Sequence, residues 1–387
     1  MRSIELFAGA GGLGMGVGRA GFSPLAVIER DRWCCDTIRE NRRREVGAVA
    51  CWPEPLEIDI RALAFHEFRG DVDIVTGGPP CQPFSLGGKH RGRDDDRDMW
   101  PQAVRVVREA APRAFVFENV KGLMRGTFAA YRDYILLQLR HPEQARRPGE
   151  DWSAHRARLD RWNAKHAPRY DVHAPELVNA ADYGVPQRRE RVFFVGFRAD
   201  LGVNWRFPPP THSRAALLRG QRADGEYWDR HAVPRKFRAP PPAVGPAPAE
   251  SLALAPWRTV RDALHDLPDP EKEPAKAARV ANHRFQPGAR VYAGHTGSPL
   301  DEPAKTLKAG VHGVPGGENM LVRADGSVRY FTVREAARLQ TFPDDFHFPG
   351  SWSEAMRQLG NAVPMDLATT LALGVARALR GKAGAAA

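Results

Sequence analysis

The run Ile4-Glu5-Leu6-Phe7 passes without a break into Ala8-Gly9-Ala10-Gly11-Gly12-Leu13-Gly14-Met15-Gly16, and a second apolar run, Leu25-Ala26-Val27-Ile28, closes on Glu29. Few folds can use that order. A strand that feeds a glycine-rich turn, followed by a second strand ending in an acid, reads as a parallel βαβ unit. Its turn lets a ligand approach the backbone at a helix N-terminus. Gly9, Gly11 and Gly14 satisfy G-x-G-x-x-G, and Glu29 stands where an acid would hold ribose hydroxyls. Two ligands remain open at this point: the pyrophosphate of a nicotinamide dinucleotide, and the methionine part of S-adenosylmethionine. A tight strand-to-helix turn with no ligand satisfies the same spacing.

Besides Ser3–Phe7 and Leu25–Glu29, strands are expected at Val72–Thr76, Ala114–Glu118 and Arg191–Phe197. Most are β-branched or aromatic and lack surface alternation, the pattern of strands buried on both faces. Helix-compatible spacing occupies Trp100–Ala110 and Phe128–Leu139, and the Arg-, Glu- and Pro-rich stretch His141–His166 reads as an exposed excursion with a helix near Trp152–Trp162. The fold class is therefore α/β, a doubly wound, Rossmann-like sheet. Pro208-Pro209-Pro210 ends the alternation, and Pro240-Pro241-Pro242, Pro246 and Pro248 prevent regular structure soon after. The stretch Thr211–Arg329 is irregular, rich in Gly and Pro and studded with Arg, His, Tyr and Trp, and it reads as a recognition surface in need of a scaffold. Helical periodicity returns at Thr332–Thr341 and Pro364–Leu379. There Leu367, Leu371, Val375 and Leu379 share a face expected to pack back on the first domain.

With 57 Lys+Arg against 46 Asp+Glu, the formal charge is +11, and only 27% of residues are charged. That balance is too mixed for a disordered basic tail and makes a polyanion, nucleic acid first, the expected partner; a merely basic enzyme is the other reading of charge alone. The N-terminus lacks a signal-peptide apolar region, and no run approaches membrane-spanning length. Cys34, Cys35, Cys51 and Cys81 form no CxxC pair and no His-flanked ligand set, so neither a metal site nor a disulfide framework is expected, and a reducing cytoplasm is.

One of these cysteines has an unusual setting. The strand Asp73–Thr76 ends in Gly77-Gly78-Pro79-Pro80-Cys81-Gln82-Pro83-Phe84-Ser85, which places Cys81 just beyond a strand's carboxyl end, where such sheets bind ligands. Prolines on both sides stiffen the turn, so Cys81 reads as a nucleophile while Cys34, Cys35 and Cys51 read as small buried hydrophobes. The next strand ends in Glu118-Asn119-Val120, bringing a carboxyl group to the same edge; a partly desolvated acid there can stay protonated, though a helix N-cap is its plainer use. Gln187-Arg188-Arg189-Glu190-Arg191 precedes the last strand, and beside a nucleophile and an acid its arginines read as anion and base-edge contacts.

Taken in this order, the motifs resemble those of bacterial restriction-modification DNA cytosine-5 methyltransferases. Phe7-Ala8-Gly9-Ala10-Gly11-Gly12 with Leu13 resembles the cofactor loop of that family, Glu29 its ribose-binding acid and Asp59-Ile60 its adenine contact. Gly78-Pro79-Pro80-Cys81-Gln82 resembles the nucleophile loop, in which Pro79 would also touch the cofactor, Glu118-Asn119-Val120 the acid motif, and Gln187–Arg191 the paired-arginine motif, with Arg189 and Arg191 in the functional positions. Arg334–Gln340 resembles the segment that organises recognition, and Gln358-Leu359-Gly360-Asn361-Ala362-Val363-Pro364 the motif that returns to the cofactor pocket, through Asn361, Ala362 and Val363. Arg30 departs from the pattern, standing where many relatives have an aromatic. The resemblance implies S-adenosylmethionine as cofactor, double-stranded DNA as partner, a possible cognate endonuclease, and a cytoplasmic, nucleoid-associated enzyme. It implies a catalytic domain over 1–210 and 351–387 and a recognition domain with hinge over 211–350. Cys81 would add to C6 of a flipped-out cytosine while Glu118 acts at N3. Arg191 would support the carbonyl oxygen, and Arg189 would hold Glu118 or a phosphate. DNA contacts would fall to Gln82, Ser85, Lys89, Arg91 and Thr306. The nearest rival, an RNA cytosine methyltransferase, carries a Cys-Phe-Thr signature that does not occur in this chain; a catalytically dead DNA-binding relative is opposed by the intact Cys81, Glu118, Arg189 and Arg191.

Overall fold

The computed structural model describes residues 1–80, 98–238, 248–293, 295–310 and 319–383. Eight strands form one sheet: β1 Arg2–Leu6, β2 Ser23–Glu29, β3 Leu56–Glu57, β4 Ile74–Gly77, β5 Ala114–Val120, β6 Tyr170–Val172, β7 Glu176–Asn179 and β8 Glu190–Arg198. Their order is β3-β2-β1-β4-β5-β8-β6, with β7 also on β8. The first five strands pair in parallel, whereas β8 runs antiparallel to β5, β6 and β7. Val172 faces Gly196 and Glu176 faces Phe193, so β6 and β7 are one edge strand interrupted by a bulge.

Alternate residues of each strand divide between two layers of helices, as a period of two requires. Ile4, Leu6, Ile28, Val75, Phe115, Phe117, Val192 and Phe194 share a core with α3 Trp100–Ala110, α4 Ala129–Arg140 and α5 Trp152–Asn163. Ile74, Ala114, Val116, Phe193, Val195 and Phe197 face the other way, against α1 Gly12–Arg19 and the C-terminal helix Met365–Ala383. Fully burying each such aromatic contributes about 1.5–3 kcal/mol. The C-terminal helix returns to the first domain as its periodicity predicts: Leu367, Leu371, Val375 and Leu379 are all buried. It lies so close to α1 that a Cβ on Gly16 would collide with Ala368.

Three expectations need correction. Against the absence of any span-length run, Trp352–Gly381 has the length and mean hydropathy, 1.3, of a membrane span, but 61% of its apolar window is buried inside the protein and Ala362–Pro364 breaks it into two helices. The His141–His166 stretch is not simply exposed. Its helix α5 starts at the predicted Trp152, and His141, His155 and Leu159 are fully or almost fully buried because His155 bonds Tyr134 of α4 at 2.7 Å. Cys51 is exposed, while Cys34 and Cys35 are buried as expected.

The stretch after Thr211 is more ordered than its composition suggests. Two short strands, His212–Ser213 and Ala255–Pro256, pair in parallel, and a small separate core of Leu217, Tyr227, Trp228 and Val233 forms beside them. A three-stranded sheet follows from Ser298–Pro299, Met320–Val322 and Val328–Tyr330. The helices Val333–Leu339 and Trp352–Asn361 then join a core shared with Val27 of β2, Met15 of α1 and Ile38 of α2 Arg32–Arg43.

Candidate active site

At the carboxyl end of β1 the backbone turns through left-handed conformations at Phe7, Gly9 and Gly11, with φ of +53°, +54° and +90°. Phe7 pays strain for this, a cost that tends to collect at functional sites. Gly11 is the N-cap of α1. The Gly9 N–H donates to Glu29 Oε2 at 2.8 Å, and the Arg30 and Asp31 N–H groups donate to Oε1 at the same distance, so the carboxylate is fixed facing the glycine turn. A Cβ on Gly9 would meet nothing within 4 Å, whereas one on Gly12 would lie 2.5 Å from the Val363 carbonyl and one on Gly11 3.0 Å from Trp52. The turn is thus closed below and open above Gly9. Val363 and Ala362 pack against Gly12 of the glycine turn, and Asn361 is exposed. Phe7, Ala8 and Leu13 are half-buried around it. Ile60 is buried in the core, and the Asp59 carboxylate takes the Arg61 backbone N–H, Nε and Nη2 at 2.7–2.9 Å, which holds it down at about 2. An open cradle over Gly9 bounded by an anchored acid fits the methionine and ribose of S-adenosylmethionine.

The second cluster stands at the ends of β4 and β5. Cys81, with Gln82, Ser85, Lys89 and Arg91, lies outside the described residues, which end at Pro80 on this side. A Cβ on Gly78 would sit 3.1 Å from Glu118 Oε2, and Asn119 Nδ2 donates to the carbonyl of the buried Pro79 at 3.2 Å. Glu118 is 7% exposed. Antiparallel pairing sets Val120 opposite Arg191, and Arg191 Nε approaches Glu118 Oε1 to 2.6 Å. That contact is a charge pair without an aligned hydrogen bond, since Oε1 has no donor in line. Burial pushes the Glu118 carboxyl above its ordinary range, and the charges of Arg191 and Arg189 pull the other way. Burial thus makes this carboxyl easier to protonate than an exposed glutamate, and its Oε2 faces Gly78.

Arg189 does not hold Glu118, contrary to expectation. It is completely buried, and its Nη1 and Nη2 donate to the carbonyls of Leu307 at 3.1 Å and Gly360 at 2.7 Å. Thr306 also differs from its expected use: it donates its single hydroxyl hydrogen to the Arg188 carbonyl at 2.7 Å, so it has none to give a phosphate. Sequence reasoning assigned no role to Gly78, Trp52 or Gln187. Trp52 gives no sequence signal, while Gln187 was visible inside its motif without a task. Among the described residues no group of three or more His, Cys, Asp or Glu is arranged to hold a metal.

A model of the C-5 cytosine-specific DNA methylase family matches residues 1–141 and 163–376 and passes over most of the α5 excursion. The chain is 31% identical to the type II methyltransferase M.PspPI of Psychrobacter sp., over 97% of this chain and 79% of that protein. It is 30% identical to M.NgoMIV of Neisseria gonorrhoeae, over 98% of each. Among solved structures, a prophage-encoded Escherichia coli protein described as a DNA modification methyltransferase superposes with a TM-score of 0.58 at 23% identity, over 98% of this chain and 99% of that one. DNMT2 of Spodoptera frugiperda does so with 0.56 at 14%, over 97% and 99%; these two likenesses bear on the fold. The chain belongs to the C-5 cytosine-specific DNA methylase family and is a DNA cytosine-5 methyltransferase.

Proposed function

We propose that this enzyme methylates C5 of one cytosine within a short duplex sequence, using S-adenosylmethionine and a covalent bond from Cys81 to C6. The observation that carries the reading is the buried Glu118–Arg191 pair beside the Gly78–Pro79 backbone that leads to Cys81. A base stacked in a duplex cannot reach such a recessed pair, so the cytosine must swing out, at a cost of a few kcal/mol. The Cys81 thiolate adds to C6 as protonated Glu118 gives its proton to N3, and electron density gathers at C5. Gly9 and Glu29 would hold S-adenosylmethionine, which would supply an electrophilic methyl group to C5 and leave as S-adenosylhomocysteine. Loss of the C5 proton to water, return of the N3 proton to Glu118 and departure of Cys81 restore the aromatic ring. Arg191 neutralises the carboxylate and can support the base's carbonyl oxygen.

Residues 1–210 and 351–387 act as the catalytic domain, and 211–350 as the recognition domain and hinge. Lys89 and Arg91, with Gln82 and Ser85, serve as DNA contacts. The relatives, named as type II methyltransferases, support a place in a restriction-modification system; the enzyme would act in the cytoplasm, opposite an endonuclease that cuts the same site. The test is to incubate the expressed protein with genomic DNA or with transfer RNA and S-adenosylmethionine, then sequence after bisulfite. Protection of cytosines in one short duplex motif is expected. Protection confined to RNA, or none, would overturn the reading.

A further inference from the structure

Among the described residues two arginines are 0% exposed, Arg189 and Arg334. Arg334 has a partner at every nitrogen: Nε, Nη1 and Nη2 each donate to a carbonyl, of Ala281, Pro343 and Phe346. Arg189 is built differently. Its two Nη atoms span Leu307, at the edge of the recognition region, and Gly360, in the last turn of the helix Trp352–Asn361, while its Nε has no partner. A base or a phosphate has no route to a side chain so covered, and an unpaired buried donor is a cost that packing alone does not require.

The surrounding contacts form one junction. The Arg188 N–H donates to the Ala304 carbonyl at 2.7 Å and the Ala304 N–H to Pro186 at 2.9 Å, a short parallel bridge between the entry to β8 and the recognition region. Gln187 clamps the same place, accepting from Leu307 N–H at 3.0 Å and donating to the Leu339 carbonyl at 3.1 Å. Gly360 is pressed so tightly on this segment that a Cβ there would collide with the Ala309 backbone. Two residues beyond Arg189, Arg191 meets Glu118.

We propose that Arg189 is a positioning residue, a buried strut that ties the recognition segment at Leu307 and the helix end at Gly360 to β8, so that Arg191 is held on Glu118. The inference rests on the reading of Glu118 and Arg191 as the acid site. A planar fork with two separated donors suits a span between two carbonyls, which a lysine ammonium cannot reproduce. Misplacing reacting groups by about 1 Å costs on the order of 10²-fold in rate.

The test is a double-mutant cycle with Arg189→Lys, Gly360→Ala and the pair, following kcat and KM on a cognate duplex and S-adenosylmethionine affinity by calorimetry. Each single change is expected to lower kcat by about 10–100-fold, with KM for DNA and cofactor affinity altered less than about twofold. The double variant is expected to be no worse than the weaker single, because both break one junction. Multiplying losses, or a raised KM for DNA at unchanged kcat in Arg189→Lys, would overturn the strut in favour of a direct DNA contact. If Arg189→Lys does not fold, Gly360→Ala alone decides, since it leaves the arginine in place: an undiminished kcat overturns the proposal. Absence of cytosine methylation by the unaltered enzyme would instead sink the underlying reading.

Discussion

In the proposed mechanism, Glu118 concentrates the chemistry of the site in one titration. Burial raises its pKa, and the charges of Arg191 and Arg189 only partly offset that. Protonated, it can donate to N3; as pH rises through its raised pKa the donor is lost. The rate of covalent addition should therefore fall on the alkaline side of that pKa, and Glu118→Gln should abolish this limb while slowing addition by about 10²-fold. Rapid-quench measurement of adduct formation across pH checks it, and a limb that survives in Glu118→Gln would assign it to another group. Glu29→Ala removes the acceptor for three backbone amides and, in the proposed complex, for the ribose. Cofactor binding should weaken by about 1.5–3 kcal/mol by calorimetry, the scale of hydrogen bonds to a charged group; unchanged affinity would take Glu29 out of the site. Glu118 and Arg191 were legible because each sits where a strand meets the ligand-binding edge. The task of Arg189 was not, because a charge read from sequence signals a partner of opposite sign, and only the fold reveals that its partners are two carbonyls.

Between elements, the close approaches are the sensitive points. Gly12→Ala places a methyl 2.5 Å from the Val363 carbonyl and must push the C-terminal motif off α1. Overpacking of this kind costs about 1–3 kcal/mol, so the melting temperature and cofactor affinity should fall together; a change in neither would show that the motif is not anchored there. Helix α5 makes the opposite point. The family model passes over most of it, yet Leu159 is completely buried in the main core. Leu159→Ala should cost about 2–5 kcal/mol by denaturant unfolding, and a loss near zero would make the excursion an independent appendage. Strands β1, β2, β4, β5 and β8 were readable from unbroken apolar runs. Helix α1 was implied by the βαβ order and not by its own composition, since its sequence GLGMGVGR is half glycine and is held by packing against the C-terminal helix rather than by propensity. The edge pair β6 and β7 is too short and too interrupted for periodicity to register. The small core around Tyr227 and Trp228 depends on contacts distant in sequence, such as Tyr227 with Asp301, and composition carries no trace of them.

For the molecule as a whole, the formal charge of +11 sets the mode of encounter with DNA. With the phosphate contacts proposed for the recognition region and for Lys89 and Arg91, affinity for arbitrary duplex should drop by ~10³-fold or more between about 50 and 200 mM salt, while preference for one site persists. Salt-insensitive binding in a filter or anisotropy titration would mean that the excess charge lies away from the DNA. The central claim is that this surface delivers a cytosine to Cys81 for covalent attack. It is tested most directly with a duplex carrying 5-fluorocytosine at the target position, since fluorine at C5 cannot leave as a proton does and Cys81 stays bonded to C6. In the presence of S-adenosylmethionine, the unaltered enzyme should form a protein–DNA adduct that survives denaturant, and Cys81→Ser should bind the same duplex and form none. An adduct in Cys81→Ser, or undiminished methylation by it, would contradict the account and require a different nucleophile.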